Sequence, residues 1–586
     1  MDTPSGEPLP DVLRYYGLWS WLSRLQVWEM ARMRNTVPYL SQRPKISILL
    51  PVYNPKRAWL ERALDSVMSQ VYPNWELCVC DDGSTEVHVK EAIGLYERLD
   101  QRVKAKYLEE NANIVSATNH AFALASGEFV ALMDHDDALA PNALFEVVQL
   151  LQENPEADLI YTDEEKIDED DQSIQPHFKP GWSPDFALSV NYLVHLSVYR
   201  KSILDEVGGW REGFDGAQDL DLMLRCTERT ESVYHIPKPL YRWRMVEGSV
   251  AVDPAFKHYT HERARRAVEE ALERRGVRGS ALDSHIPNCF RVEREIEGQP
   301  KVSVLIPFRE GADLSRCVGG LERHATYSNY EVCVITTEAD RFRQASLPAA
   351  ARTIRLTEGS TPLELYNAAT GHAAGEYVLL LDPHVEVLAD GWLEALLQHA
   401  QRAEVGAVGG KSVSSEGRTL QAGLILDPEA GEGKPERFYR PFNQEHPGFR
   451  MFIDVARNCS AVSGECIMFR KATFEAVGGF DTQHLESAFG DVDLCLRLRE
   501  QGYLIVYTPH AEFARHDPEP PAGLEPERAD FVRERWGDLL SDDPYYNPNL
   551  RWDASDLRST HRLLGLDNPP RAAARMPGAV RPGGLH

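Results

Sequence analysis

The chain has 586 residues, too many for one hydrophobic core, so two or more domains are expected. Its apolar content of 43% and charged content of 26% are those of an ordinary soluble globular protein. The net charge of −27 argues against a nucleic-acid partner, which needs basic surface, and against broad adhesion to anionic lipid.

Nine cysteines include no C-x-x-C pair and no dense even framework. Cys78 and Cys80 alternate on one apolar run, which suits buried free thiols in a reducing compartment. Met1-Asp2 opens no basic-then-apolar signal pattern, and no stretch approaches the ~18 apolar residues of a spanning helix. The expected place is the cytoplasm.

Residues 1–44 are rich in aromatics. Tyr15, Tyr16, Trp19, Trp21, Leu22, Leu25, Trp28 and Met30 make a roughly helical segment. It either docks on the protein body or lies at a membrane surface as an amphipathic helix. Too few basic residues accompany it for strong lipid attraction, which favours docking.

From 45 to 253, apolar runs alternate with helical spacing. Ile46-Ser-Ile-Leu-Leu50 is closed by Pro51. Leu60, Ala63, Leu64, Val67 and Met68 then fall on one helical face. Trp75-Glu-Leu-Cys-Val-Cys80 ends in Asp81-Asp82-Gly83-Ser84. Phe129-Val-Ala-Leu-Met133 ends in Asp134-His-Asp136-Asp137. Such alternation predicts βαβ units and a mostly parallel sheet. No G-x-G-x-x-G follows the first strand and no G-x-x-x-x-G-K-[ST] occurs, so dinucleotide-binding and Walker-type sites are excluded.

The acidic run after the third of these strands is the most informative stretch. Ligands of open α/β sheets collect outside the carboxyl ends of strands. Carboxylates crowded there repel one another, and a divalent cation relieves them. An Asp-x-Asp with a metal implies a substrate that carries phosphate. The plainer alternative is an acidic loop in water. His195, Trp182 and Trp210 read as packed side chains, and Asp163–Asp171 as a solvated loop.

Residues 254–300 read as a helical connection, with Ala264, Ala267, Val268 and Ala271 on one face and Gly276 as its stop. The pattern then begins again over 301–518. Val302-Ser-Val-Leu-Ile-Pro307 repeats Ile46–Pro51, Tyr330-Glu-Val-Cys-Val334 repeats Trp75–Val79, and Gly375–Asp382 repeats Gly127–Asp134. Val477–Asp481 repeats Val207–Arg211, and Asp491–Arg497 repeats Asp219–Arg225. Five matches in one order are an internal duplication. Residues 519–570 form a C-terminal extension, and 571–586 read as a disordered tail.

Taken together, Pro51-Val-Tyr-Asn54, Cys80–Ser84, Asp134–Asp137, Val207-Gly-Gly209, Gln218-Asp-Leu-Asp-Leu222 and Tyr241-Arg-Trp-Arg244 with Gly248-Ser249 resemble the family-2 glycosyltransferases of GT-A fold. They look most like the tandem bacterial enzymes, rhamnosyltransferase-like, that build O-antigen, capsule or similar surface glycans. The resemblance covers roughly 45–550. It implies two tandem GT-A (nucleotide-diphospho-sugar transferase, Rossmann-like) α/β domains, and inverting transfer from a UDP- or dTDP-sugar to a glycan or lipid-linked glycan at the inner membrane face.

The resemblance also implies residue roles. Asp81 and Asp82 would accept hydrogen bonds from the base and ribose, and Pro51, Tyr53 and Asn54 would shape the base pocket. Asp136 would hold Mn2+ or Mg2+, and Asp134 and Asp137 would support it and contact the sugar or ribose. Asp219 would be the catalytic base, although it or Asp221 could instead cap a helix. Many relatives carry His where this chain has Arg242, and that guanidinium would contact phosphate in place of part of the metal's work.

In the second copy the Asp pair becomes Thr336-Thr337 and the metal triplet becomes Asp382-Pro383-His384. Asp382 and His384 could still hold a metal, His516 resembles the family's late His, and Asp491 stands at the base position. The expected chemistry is therefore mainly in the first copy. Alternatives are a bifunctional enzyme, a sugar-nucleotide pyrophosphorylase, and a non-catalytic glycan-binding scaffold. The pyrophosphorylase would want a Gly-rich, basic loop after the first strand, which Pro51–Pro55 does not supply.

Overall fold

The computed structural model describes residues 27–245, 258–309, 312–337, 351–357, 360–426, 439–441, 450–516 and 524–550. Most of the aromatic-rich segment and the tail over 571–586 lie outside the described residues. The helix Val27–Thr36 is described. Its Met30 and Met33 pack on the first domain's core, while Trp28 is exposed.

The first domain is built on strands β1 (Ile46–Val52), β2 (Trp75–Asp81), β3 (Val103–Tyr107), β4 (Phe129–Leu132), β5 (Ala138–Leu139), β6 (Leu159–Ile167), β7 (Ser173–His177), β8 (Ser197–Arg200) and β9 (Val233–Arg244). They form one sheet in the order β3-β2-β1-β4-β8-β6-β9-β5, with β7 on β6. The β3-β2-β1-β4 half is parallel, and β8 runs antiparallel between β4 and β6. Strands covered on both faces read as unbroken apolar runs, which is why β1, β2 and β4 carry so few polar residues. The helix Arg57–Met68 buries Trp59, Leu60, Ala63, Leu64 and Val67 against them. Leu60, Leu64 and Val67 each contribute roughly 1.5–3 kcal/mol by leaving water.

The pairing register sets the site. Val52 lies opposite Asp81, and Leu49 opposite Leu132. The carboxyl ends of β1, β2 and β4 therefore open on one edge, carrying Asp81 and Asp134 there.

The helix His258–Arg274 follows, burying Ala264, Ala267, Val268 and Ala271. Gly276, at φ 66°, lies just beyond its end. Beyond it the chain forms a hairpin of β10 (Gly279–Asp283) and β11 (Phe290–Arg294), an addition to the helical connection expected there.

The second domain carries β12 (Val302–Pro307), β13 (Tyr330–Thr336), β14 (Ala351–Arg355), β15 (Tyr377–Leu381), β16 (Val385–Val387), β17 (Val405–Ser414), β18 (Thr419–Gln421), β19 (Leu424–Leu426), β20 (Tyr439–Pro441), β21 (Arg457–Asn458), β22 (Cys466–Arg470) and β23 (Leu504–Arg515). Its main sheet runs β14-β13-β12-β15-β22-β17-β23-β16, the same order, strand for strand, as the first. The duplication extends to buried polar contacts. Ser47 Oγ donates to Glu76 and accepts from Gly127 N, and Ser303 Oγ does the same with Glu331 and Gly375. A Cβ on Gly127 would lie 2.7 Å from the Lys45 carbonyl oxygen, so the repeated Gly-Glu before each central strand is a close-packing requirement.

The domains share one apolar cluster, in which Phe186 and Phe452 meet at 4.7 Å between ring centroids. Buried Asp185 crosses the join to Arg294, Arg402 and Asn458. Burial pushes its carboxyl up, and the two guanidiniums more than offset this, holding it well below the usual range. No helix among the described residues is long and apolar enough to cross a membrane.

Candidate active site

The acidic loop after β4 is held from beneath by β9. Asp137 is buried; its Oδ2 accepts from the Tyr241 hydroxyl at 2.7 Å and its Oδ1 from Arg244 N at 2.7 Å. The Tyr241 hydroxyl also accepts from Asp134 N at 3.1 Å. Arg244 Nε donates to the Asp136 carbonyl at 2.7 Å, and its other nitrogens reach the Asp168 carbonyl and the Asp171 carboxylate. The loop is thus fixed by backbone and hydroxyl donors rather than left in water, against the plainer alternative.

His195 joins it from the turn before β8. Its ring stacks on Tyr241 at 4.5 Å, and its Nε2 lies 3.7 Å from Asp134 Oδ2. Its Nδ1 is buried with no hydrogen-bond partner. One donor atom each from Asp134, Asp137 and His195 lie within 4.8 Å of one another, the set among the described residues able to hold a metal. Burial, then the charges of Asp136 and Asp134, push the Asp137 carboxyl well above the ordinary range. Burial also raises Asp136, with Asp134 adding to it and His135 opposing. The buried Asp137 carboxylate, the half-exposed Asp134 and the His195 ring beside it fit a divalent cation, whose charge would reverse those shifts.

Asp219 enters from the helix Gln218–Thr227. Its carboxyl is raised to about 6, chiefly by burial, with the nearby Asp134 charge adding to it and His195 opposing. Asp221, two residues on and so on another side of the helix, is fully buried between Arg211 and Arg225, with Arg225 Nε at 2.8 Å. Arg225 also closes onto the Val207 and Gly209 carbonyls. Asp221 is therefore a structural ion, and the described hydrogen bonds of Asp219 include only the Gln218 amide.

At the carboxyl end of β2, Asp81 is fully buried. Its Oδ1 accepts from Ser84 N at 3.0 Å, and its Oδ2 is left without a partner. Asp82 accepts instead from Ala112 N at 2.8 Å, at the start of the helix Asn113–Phe122. Burial raises its carboxyl. Asn54, at φ 45°, spends its side chain on Thr85 and Glu86, just before the helix Val87–Leu99. Tyr53 is exposed, and the Pro51 carbonyl meets the His135 ring at 3.2 Å. Of the five residues expected to shape a base pocket, Asp81 keeps one buried, unpartnered oxygen, while Asn54 and Asp82 hold the turns around it.

Three further residues stand differently from expectation. Arg242 Nε lies 2.9 Å from Glu165 Oε1 on β6. Arg244 is the guanidinium that engages the loop, and it does so through protein carbonyls. Asp136, expected as the principal metal ligand, falls outside the converging set, and its backbone carbonyl accepts from Arg244 Nε. His195, read as a packed side chain, falls inside. Its sequence context, Asn191-Tyr-Leu-Val-His195, holds no spacing that announces this.

The second domain differs at each of these points. Strand pairing places Glu465 where His195 stands, Val385 where Asp137 stands and Phe513 where Tyr241 stands. Asp382 accepts from His384 N and from the His384 ring at 2.8 Å, and it meets Arg309 Nη1 at 3.1 Å. Arg309 occupies the position of Tyr53. The His516 ring turns away to Glu386 at 2.9 Å. The metal set expected from Asp382, His384 and His516 therefore does not assemble, because a guanidinium and an internal hydrogen bond already occupy Asp382. Asp491 accepts from Gly464 N and Val492 N at 2.7 and 2.9 Å. Burial raises it, and those amides oppose the shift. Asp493 repeats the structural role of Asp221, bonded to Arg497 and to Trp536 Nε1.

Fold and site together define a tandem GT-A protein. The family model described as Glycosyl transferase family 2 matches residues 47–208, and that described as Glycosyltransferase like family 2 matches 300–537. The chain belongs to glycosyltransferase family 2, with one such domain following another. It is 38% identical over 545 residues to the uncharacterized protein y4gI of Sinorhizobium fredii (strain NBRC 101917 / NGR234), covering 90% of this chain and 60% of that one. It is 34% identical over 575 residues to the O-antigen biosynthesis protein RfbC of Myxococcus xanthus, covering 95% of this chain. The chain spans 60% and 44% of the lengths of these two relatives. Among solved structures, S. aureus TarS 1–349 in complex with UDP-GlcNAc aligns over 39% of this chain and 66% of that one, at 20% identity and a TM-score of 0.33.

Proposed function

We propose that the first domain transfers a sugar, with inversion, from a nucleotide-diphosphate donor to a growing cell-surface glycan, and that the second domain supports it without chemistry of its own. The observation that carries this is the Asp219 carboxyl, raised to about 6 and held beside the Asp134, Asp137 and His195 cluster. A general base works best when its pKa lies near the working pH. Asp219 takes the proton of the acceptor hydroxyl as that oxygen attacks the anomeric carbon, and a single displacement inverts the centre.

Asp81 Oδ2 accepts from a uracil- or thymine-type N–H, which supports a UDP- or dTDP-sugar. Asp134, Asp137 and His195 would hold Mn2+ or Mg2+, which supplies charge neutralisation for the departing nucleoside diphosphate. Tyr241 and Arg244 keep those carboxylates in place. The name of the Myxococcus relative supports an O-antigen-like acceptor. A lipid-linked acceptor would bring the chain to the cytoplasmic face of the inner membrane. The Arg309–Asp382 pair tells against two active sites.

The test is release of UDP or dTDP from a panel of nucleotide sugars by the full chain. Asp219→Asn should lower turnover on the order of 10²–10⁴-fold while leaving UDP affinity intact. Unchanged turnover would leave only a binding role.

A further inference from the structure

The segment that follows the second domain returns to the first. Asp543 is anchored in the second domain, accepting from Leu426 N at 2.9 Å and from Ser460 Oγ. Pro544 then lies on Gly181 of the first domain. Gly181 N donates to the Pro544 carbonyl at 2.9 Å, and a Cβ on Gly181 would lie 2.1 Å from that oxygen. The backbones touch only because Gly181 has no side chain.

Three residues on, Asn547 is 2% exposed. Its Nδ2 donates to both oxygens of Asp163, at 3.0 and 2.9 Å, and to the Lys179 carbonyl at 2.8 Å. Asp163 sits where the register between β6 and β9 shifts, and it also accepts from Lys179 N and the His235 ring. Lys179 is fully buried. Its Nζ donates to Glu164 at 3.0 Å, to the Leu193 carbonyl at 2.7 Å, and to the His195 carbonyl. A buried ammonium satisfied at all three protons fixes the backbone it touches, since any movement strands a charge. The backbone fixed here presents the His195 ring to Asp134.

We propose that Asn547 is a positioning residue for the first domain's site, acting through Asp163 and Lys179 on the 193–195 turn, and that the second domain serves the first by delivering it. This rests on the reading of Asp134, Asp137 and His195 as a cation site. Partners that orient a metal-binding side chain typically change affinity 10–100-fold when removed.

The experiment titrates the full chain with Mn2+, following free Mn2+ by electron paramagnetic resonance, and separately with UDP in the absence of metal. Asn547→Ala should weaken Mn2+ binding about tenfold and leave metal-free UDP binding unchanged, because the Asp81 pocket lies on β1 and β2. Should that variant not fold, Asn547→Ser, which keeps a short donor in the same cavity, should give a smaller loss of Mn2+ affinity with the same unchanged UDP binding. Wild-type Mn2+ affinity in a folded Asn547→Ala chain, or in a folded Asn547→Ser chain if only that one folds, overturns the proposal. So does a parallel loss of Mn2+ and UDP, which is the mark of a merely structural contact. A wild-type chain that takes up no Mn2+ overturns the cation-site reading beneath it.

Discussion

Arg309 Nη1 lies 3.1 Å from Asp382 Oδ2, so the second domain meets its strand-end carboxylate with a guanidinium. The first domain gathers Asp134, Asp137 and His195 at the matching place. One duplicated sheet has thus kept its scaffold twice and its acidic cluster once. Asp382→Ala should leave Mn2+ uptake and donor turnover unchanged, as measured by titration and by UDP release. Loss of a bound metal in that variant would restore the second domain as an active site.

The raised Asp219 carboxyl predicts a pH profile. The base must be ionised, and a pKa of about 6 leaves it protonated below that pH. Turnover should therefore fall about tenfold per pH unit below about 6 and level off above it. A rate flat through that region, measured with donor in excess, would move the base elsewhere.

Asp81 and Asp82 should part company on substitution. Asp81→Asn replaces the unpartnered acceptor with an amide and should weaken UDP binding by roughly 1–3 kcal/mol. Asp82→Asn touches the amide at the start of Asn113–Phe122 and should affect stability more than affinity. Calorimetric titration with UDP separates the two.

Asp221 and Asp493 predict stability losses without catalytic ones. Asp221→Ala strands Arg225 among buried carbonyls, and breaking such a buried pair costs roughly 3–5 kcal/mol. Asp219→Ala, two residues away, should cost far less. Urea midpoints of the two variants check this, and equal midpoints would contradict the division of roles.

Acid should loosen the Lys179 network late. Burial pushes the Glu164 carboxyl up, but Lys179 and His177 more than offset this and hold it at about 2, against an ordinary 4.5. A depressed folded pKa stabilises fully above 4.5, and that stability is lost as pH falls towards about 2. Lys179→Met should abolish this dependence in acid unfolding followed by fluorescence.

Much of the fold is legible in the sequence because its causes are local. Apolar runs ending in Pro51 and Pro307, Gly-Glu before each central strand, and Asp-x-Asp on each Gln218- or Gly490-led helix recur at matched spacing. The acidic cluster is legible for the same reason, since Asp134, Asp136 and Asp137 are neighbours in the chain. His195 is not, because it reaches Asp134 only through the turn that Lys179 holds. Arg242 and Arg244 differ by two residues on one strand, and which of them reaches the loop depends on how the chain turns after β4. Arg309 and Asn547 act across long sequence distances, where no periodicity carries a signal.

The most direct test counts sites: calorimetric titration of the full chain with UDP, with and without Mn2+. One UDP site per chain that Mn2+ tightens, with the tightening abolished by Asp134→Ala and untouched by Asp382→Ala, is the expected result. Two such sites, or a tightening that survives Asp134→Ala, would contradict the assignment of the chemistry to the first domain.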